Sequence, residues 1–239
     1  MHRFFAPKEQ ISNNEIIITG SDINHIKNVL RKKVGDEVEI FDGFQNIYQA
    51  RIKGLNKDEI KLGIISSSKA INNDADIKIT LAQCLPKGKK MDLIVRMATE
   101  LGVNSIIPVI SERSIPKIGE KENKKIKHWQ TIAKEACQQS GQTIIPTIQP
   151  FINLAELDPS IYDLAILPWE GEKETSLKSK LAKFKSGKLL VLIGSEGGFS
   201  QSEVDLAKKK GINTVTLGKK ILRCETAAIA VLSAIQLTV

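Results

Sequence analysis

From residue 77 onward the chain repeats one pattern: a short apolar run, then a segment whose apolar residues recur at helical spacing. Residues 77–84 read as a strand, and 91–101 as the helix that follows. Residues 105–110 form a second run, followed by a predicted helix over about 123–142. Residues 163–167 and 188–193 are further buried-strand runs, and 215–217 is a last short one. Strands apolar on both faces and joined by helices imply a parallel α/β sheet covered on each side. In such sheets ligands bind where loops leave the carboxyl ends of the strands.

The first seventy residues follow a different rule. Residues 16–19, 37–41, 47–52 and 60–65 are β-branched or alternating and are separated by Gly or Asp turns, the pattern of a small β-barrel or curled sheet. One helix interrupts them, with Ser21 placed as its N-cap and Ile23, Ile26 and Leu30 on one face. Residues 66–76 are polar and are expected to be the linker. The chain of 239 residues is therefore read as two domains, 1–70 and 71–239.

The first residues lack the apolar core of a secretory signal, and no stretch is apolar for the roughly 18–20 residues that span a bilayer. Cys84, Cys137 and Cys224 are far apart and form no C-x-x-C pair. That argues against a metal knuckle or a disulfide framework and fits a reducing cytoplasm, so no metal is expected. The formal net charge of +8 points towards a polyanionic partner. Lysine clusters at 87–90, 124–127, 208–210 and 219–220 each read first as a solvated face, but together they make nucleic acid the leading partner class. Two Trp and two Tyr are too few for a broad base-stacking platform.

Two loops stand out. In Leu190-Val-Leu-Ile-Gly-Ser-Glu-Gly-Gly-Phe-Ser200 a buried strand runs into three glycines, and Ser200 with Glu203 forms a capping box for the next helix. This is neither a P-loop nor a dinucleotide fingerprint. Glu196 suits either a ligand hydroxyl or a solvated charge. The second loop, Leu217-Gly-Lys-Lys-Ile-Leu-Arg-Cys-Glu-Thr-Ala-Ala228, leads into an almost wholly apolar helix running to residue 239. A helix apolar nearly all round is buried on two faces, within one subunit or between its own sheet and a partner subunit.

Gly194-Ser-Glu-Gly-Gly-Phe-Ser200 together with Leu217-Gly-x-x-Ile-Leu-Arg-x-Glu-Thr-Ala227 resembles the RsmE family, the 16S ribosomal RNA uridine-N3 methyltransferases of the SPOUT class. Arg3-Phe-Phe5, His25-x-x-x-Val29-Leu-Arg31, Lys87-Gly88, Glu100-Leu-Gly-Val103, Ser111-Glu-Arg-Ser114, Trp129-x-x-Ile132 and Gln139-Ser-Gly141 agree in order and spacing, so the likeness covers essentially the whole chain. It implies an N-terminal PUA-like β-barrel for RNA and a C-terminal SPOUT domain with a trefoil knot at about 190–239. It also implies a homodimer formed through the knot and the last helix. The implied methyl donor is S-adenosyl-L-methionine, wrapped by Leu167, Pro168, Gly194, Ser195, Glu196, Gly197, Gly198, Leu217, Gly218, Ile221, Leu222, Arg223, Thr226 and Ala227.

Methylation of uridine N3 requires loss of the N3 proton, so the implied chemistry is orientation of the reactants plus stabilisation of an anion spread over the ring. Arg223 is expected to stabilise that anion, the alternative being a surface phosphate contact. The base is Glu196 or a water-mediated path. Arg3, His25, Arg31, Lys87 and Arg113 are the expected RNA contacts, mostly to phosphate, and the target base must be unpaired or extruded. Three positions depart from the family pattern: Ser195 stands for Pro, Gln142 for Arg after Gln-Ser-Gly, and His128 for Arg before Trp129. The competing readings are a non-catalytic ribosome-assembly protein and a SPOUT enzyme acting on another RNA.

Overall fold

A computed structural model describes residues 2–70, 77–114 and 122–238. The chain folds as two compact units, Met1–Ile71 with Cys137–Ile145, and Asn72–Ala136 with Pro146–Val239.

The first unit is built on a curled five-stranded sheet of β1 (Arg3–Phe5), β2 (Glu15–Ile18), β3 (Glu37–Phe41), β4 (Asn46–Leu55) and β5 (Ile60–Lys69), in the order β1-β3-β4-β5-β2. Alternate residues point inward: Ile16 and Ile18, Val38 and Ile40, Ala50 and Ile52, and Ile60 and Leu62 join Phe4 and Ile26 in one core. Register shifts in the β4–β5 pair, after Gln49 and after Ile52, bend the sheet around that core. Strand β1 pairs in parallel with β3 and is too short for a period of two to be read from sequence. Two expectations are corrected. Ser21 opens α1 (Ser21–Asn24) instead of capping it; the cap position is held by Gly20 at φ 80, and α1 runs straight into a π-helical turn, His25–Val29. The polar stretch from residue 66 is not linker throughout, because Ser66–Lys69 pair with Asn46–Gln49 through backbone hydrogen bonds that need no apolar side chain. Residues 71–76 of that stretch lie outside the described residues.

The second unit carries a sheet in the order β12-β10-β11-β6-β7-β8, parallel throughout, with β9 also on β7. Its strands are β6 (Ile77–Cys84), β7 (Ser105–Ile110), β8 (Thr147–Ile148), β9 (Ile152–Asn153), β10 (Leu164–Pro168), β11 (Gly187–Ile193) and β12 (Asn213–Val215). The helices are α2 (Lys90–Glu100), α3 (Glu122–Ser140, whose last turn belongs to the first unit), α4 (Leu177–Leu181), α5 (Gln201–Lys209) and α6 (Cys224–Thr238). The continuous apolar runs are the central strands: every residue from Leu189 to Ile193 is buried. The last strand ends at Val215, so residues 216–217 belong to the loop that leaves it. Helix α6 packs against α2, α4 and β11.

Candidate functional site

Because the sheet is parallel, β6, β7, β10, β11 and β12 all end on one edge, and their five outgoing loops meet there. The loop after β11 is the centre. Gly198 at φ 65 donates its N–H to the Ser195 carbonyl at 3.0 Å, closing a tight turn. A Cβ on Gly194 would stand 3.1 Å from the Phe199 ring, so only glycine fits without displacement there. The predicted capping box is present: Ser200 Oγ accepts from Glu203 N–H, and the Glu203 carboxylate accepts from Ser200 N–H at 2.9 Å.

Side chains tie this turn to its neighbours. Glu203 is buried, and its second oxygen accepts the Glu112 N–H at 2.7 Å, anchoring the loop after β7. Arg113 Nη1 donates to the Gly197 carbonyl at 2.7 Å, and Ser195 Oγ donates to the Arg113 carbonyl at 3.4 Å. The Ser195 departure thus adds a tie that proline has no group to make. Both Glu196 carboxylate oxygens accept the Lys87 N–H at 3.1 Å, and Lys90 Nζ lies 2.8 Å from Glu196 and 3.7 Å from Glu225. Lys90, at the start of α2, therefore clamps the glycine turn to the first turn of α6.

The loops enclose a cavity of about 320 Å³ continuous in its lining with a smaller one of about 90 Å³. Of the predicted donor residues, Gly194, Ser195, Glu196, Gly197, Gly198 and Arg223 line the first. Leu217 and Gly218 line the second. Pro168, Ile221, Leu222 and Ala227 line both. Two predicted residues line neither: the Leu167 side chain is buried in the core with Leu190 and Leu192, one residue short of the loop, and Thr226 is exposed on α6. Glu170 lines both cavities and carries no sequence motif that marks it. Lys90 could not be told from its surface neighbours in the 87–90 lysine cluster by sequence alone.

The charges follow from these contacts. Partial burial opposes the Glu196 charge, but the Lys90 hydrogen bond and the backbone N–H groups outweigh it and hold the carboxyl below its usual range. Lys90 is raised in turn, chiefly by its bond to Glu196. Glu225 is lowered, first by its own backbone N–H. Burial pushes the Cys224 thiol up to about 12, and its bond to the Glu225 carboxylate adds to the rise. The Glu196 carboxylate, one of the two expected paths for the N3 proton, is thus tied to Lys90 and to the Lys87 N–H, which favour its charged form.

The expected RNA residues divide between the units. In the second, Lys87 and Arg113 are exposed, the latter resting on Gly197. In the first, Arg31 is exposed at φ 51, and His25 stands edge-on to Phe4 at 5.7 Å. Arg3 is engaged within its own unit: its Nε pairs with Glu39 at 2.7 Å, its guanidinium lies 5.2 Å from the Phe41 ring centroid, and Nη1 donates to the Gly141 carbonyl. A side chain so engaged holds its own unit together. The His128 departure is absorbed locally, His128 and Trp129 both bonding Asp92; at Gln142 the contact to Arg3 is through the backbone carbonyl and is independent of the side chain. Among the described residues, no group of three or more His, Cys, Asp or Glu is gathered as a metal site, and no helix is long and apolar enough to cross a membrane.

Ribosomal RNA small subunit methyltransferase E of Bacillus subtilis is 33% identical to this sequence over 98% of this chain and 96% of its own. The chain belongs to the ribosomal RNA small subunit methyltransferase E family. The RNA methyltransferase domain family matches residues 73–236, and the RNA methyltransferase PUA domain family matches 18–65. The crystal structure of the Neisseria gonorrhoeae family member, bound to S-adenosyl methionine, is 31% identical with a TM-score of 0.86 and covers 99% of this chain and 97% of its own. A Legionella pneumophila methyltransferase solved with bound SAM is 30% identical, with a TM-score of 0.88 and coverage of 98% and 96%. Membership in this family accounts for the architecture: a PUA-like unit followed by an RNA methyltransferase domain built on a parallel sheet.

Proposed function

We propose that this chain transfers the methyl group of S-adenosylmethionine to N3 of an unpaired uridine in 16S rRNA of the small ribosomal subunit. The observation that carries the reading is the convergence of the glycine turn, the 216–223 loop and the end of β10 on one cavity, in a chain alike over its full length to structures solved with that donor. The lining fits the donor. Pro168, Ile221, Leu222 and Ala227 offer apolar surface for adenine, and the glycines expose backbone groups for close polar contact. When bound, the donor supplies the electrophilic methyl carbon.

The protein's part is placement and electrostatics. Arg223 is exposed at the cavity, and its guanidinium makes no hydrogen bond or close salt bridge among the described residues, so it is available to the uridine oxygens as N3 loses its proton. With Glu196 engaged by Lys90 and the Lys87 N–H, the N3 proton leaves to water. The new N–C bond forms as the S–C bond breaks, and the neutral thioether departs. Lys87, Arg113, His25 and Arg31 contribute RNA contacts, mostly to phosphate. The family resemblance further supports a trefoil knot over about 190–239 and a cytoplasmic homodimer built on α6. Leu237 on α6 is 89% exposed and Leu93 on α2 is 42% exposed, apolar surface that a second copy covers.

Small subunits lacking the modification, incubated with labelled donor and digested for nucleoside mass spectrometry, test the reading. N3-methyluridine formed by the wild type and lost in Arg223→Ala, with turnover falling far more than donor affinity, is the expected outcome. A different methylated nucleoside overturns the target, and no transfer to any subunit preparation overturns the function.

A further inference from the structure

Two carboxylates reach the cavity, and they are not equivalent. Glu196 is engaged by Lys90 and the Lys87 N–H. Glu170 lines both parts of the cavity, and its Oε1 lies 3.3 Å from the place a Cβ on Gly198 would take, so it sits over the glycine turn. Among the described residues its side chain has no hydrogen-bond or ion partner, in a protein of net charge +8.

The turn that carries Glu170 is fixed from both sides. Trp169 N–H donates to the Val215 carbonyl at 3.0 Å, and Glu172 N–H donates to the Trp169 carbonyl at 3.1 Å. The Trp169 ring folds over Gly171, where a Cβ would stand 2.4 Å from ring atoms, and Lys208 Nζ lies 5.3 Å from its ring centroid. The Glu172 carboxylate is pinned by Thr214 Oγ1 at 2.6 Å and by the N–H groups of Glu174 and Thr175 at 2.9 and 3.0 Å. An unpaired anion on a preorganised turn favours a ligand cation that also donates hydrogen bonds. A methyl donor of the proposed kind carries one such group: its sulfonium has charge without a donor hydrogen, and its ribose diol has donors without charge.

We propose that Glu170 receives the ammonium of the donor's amino-acid end. The proposal rests on the reading above that this cavity binds S-adenosylmethionine. Titration calorimetry on the wild-type protein and Glu170→Gln separates the possibilities with three ligands. S-adenosylmethionine has both ammonium and sulfonium, S-adenosylhomocysteine keeps only the ammonium, and 5′-methylthioadenosine has neither. Glu170→Gln is expected to weaken the first two by roughly tenfold and to leave the third within about twofold. Unchanged affinity for all three overturns the proposal. An equal loss for all three moves Glu170 to the ribose, and a loss for S-adenosylmethionine alone moves it to the sulfonium; each of these overturns the ammonium assignment. Wild-type protein that binds none of the three refutes the donor reading itself, which separates that failure from the failure of Glu170.

Discussion

Glu203 joins two of the loops that shape the cavity through one buried carboxylate, and Glu203→Gln tests that role with almost no change of volume. The side chain is 8% exposed, and its two oxygens accept N–H groups from Glu112 at 2.7 Å and Ser200 at 2.9 Å. An amide offers one oxygen. Whichever N–H keeps it, the other faces an NH2 group, and a donor–donor contact replaces a charge-assisted bond. Such a bond contributes about 1.5–3 kcal/mol, and the stranded buried donor keeps the loss near the upper end, about 2–3 kcal/mol. At roughly 2–4 °C per kcal/mol for a chain of this size, the melting midpoint falls by about 4–12 °C. Scanning calorimetry measures the fall, and titration with S-adenosylmethionine, run below the variant's midpoint, should show weaker binding as the Ser111–Ser114 loop and Arg113 lose their anchor. A stability change under about 0.5 kcal/mol, the range of an ordinary surface substitution, would refute the claim that this carboxylate couples the loops.

Lys90→Met should lower donor affinity roughly five- to tenfold, while Lys90→Arg restores most of it because the clamp needs a cation reaching both Glu196 and Glu225; equal losses in the two variants would refute a charge clamp. Cys84, Cys137 and Cys224 are buried, and burial is the main cause lifting each thiol to about 12. Native protein at pH 8 should therefore resist iodoacetamide, whereas denatured protein takes up three equivalents by mass. Glu172 is held at about 2 against an ordinary 4.5, first by the Thr214 hydroxyl and then by the N–H groups of Thr175 and Glu174. A lowered folded value means stability that is complete above pH 4.5 and is lost as pH falls towards 2. Thr214→Val should flatten that dependence, read as the difference in denaturant midpoint between pH 6 and pH 3; an unchanged difference would count against the assignment.

The parallel sheet was legible because burial on both faces leaves a contiguous apolar run, and β6, β7 and β11 were predicted within a residue of their observed ends. The capping box at Ser200 and Glu203 was readable for the same local reason: its partners are three residues apart. Contacts between loops were not. Nothing near Glu196 in the sequence says that Lys87 and Lys90, more than a hundred residues earlier, occupy its carboxylate. Trp169, Glu170 and Gly171 follow no periodic rule, so their place at the cavity emerged only from the fold. Arg3 was read as a phosphate contact, and nothing in the sequence around it shows that Glu39 and Phe41 on the adjacent strand engage its guanidinium. Ser21 misled because serine is a frequent cap, but the positive φ at the preceding position selects glycine there.

The order in which this chain is made differs from the order in which it is finished. The first unit takes residues Cys137–Ile145 into itself: Phe44 bridges to Ile144, Gln45 N–H donates to the Thr143 carbonyl at 3.4 Å, and Arg3 reaches Gly141. During synthesis, all five strands of its sheet have emerged while these partners are still unmade, and the hairpin tip at residues 42–45 waits for α3 to be complete. A fragment cut at residue 70 holds the nascent chain at that stage permanently, with the Cys137–Ile145 strip missing. The first seventy residues are therefore not an independent gene segment that can be lifted out or exchanged at residue 70, and any recombination that preserves the first unit must carry residues 137–145 along.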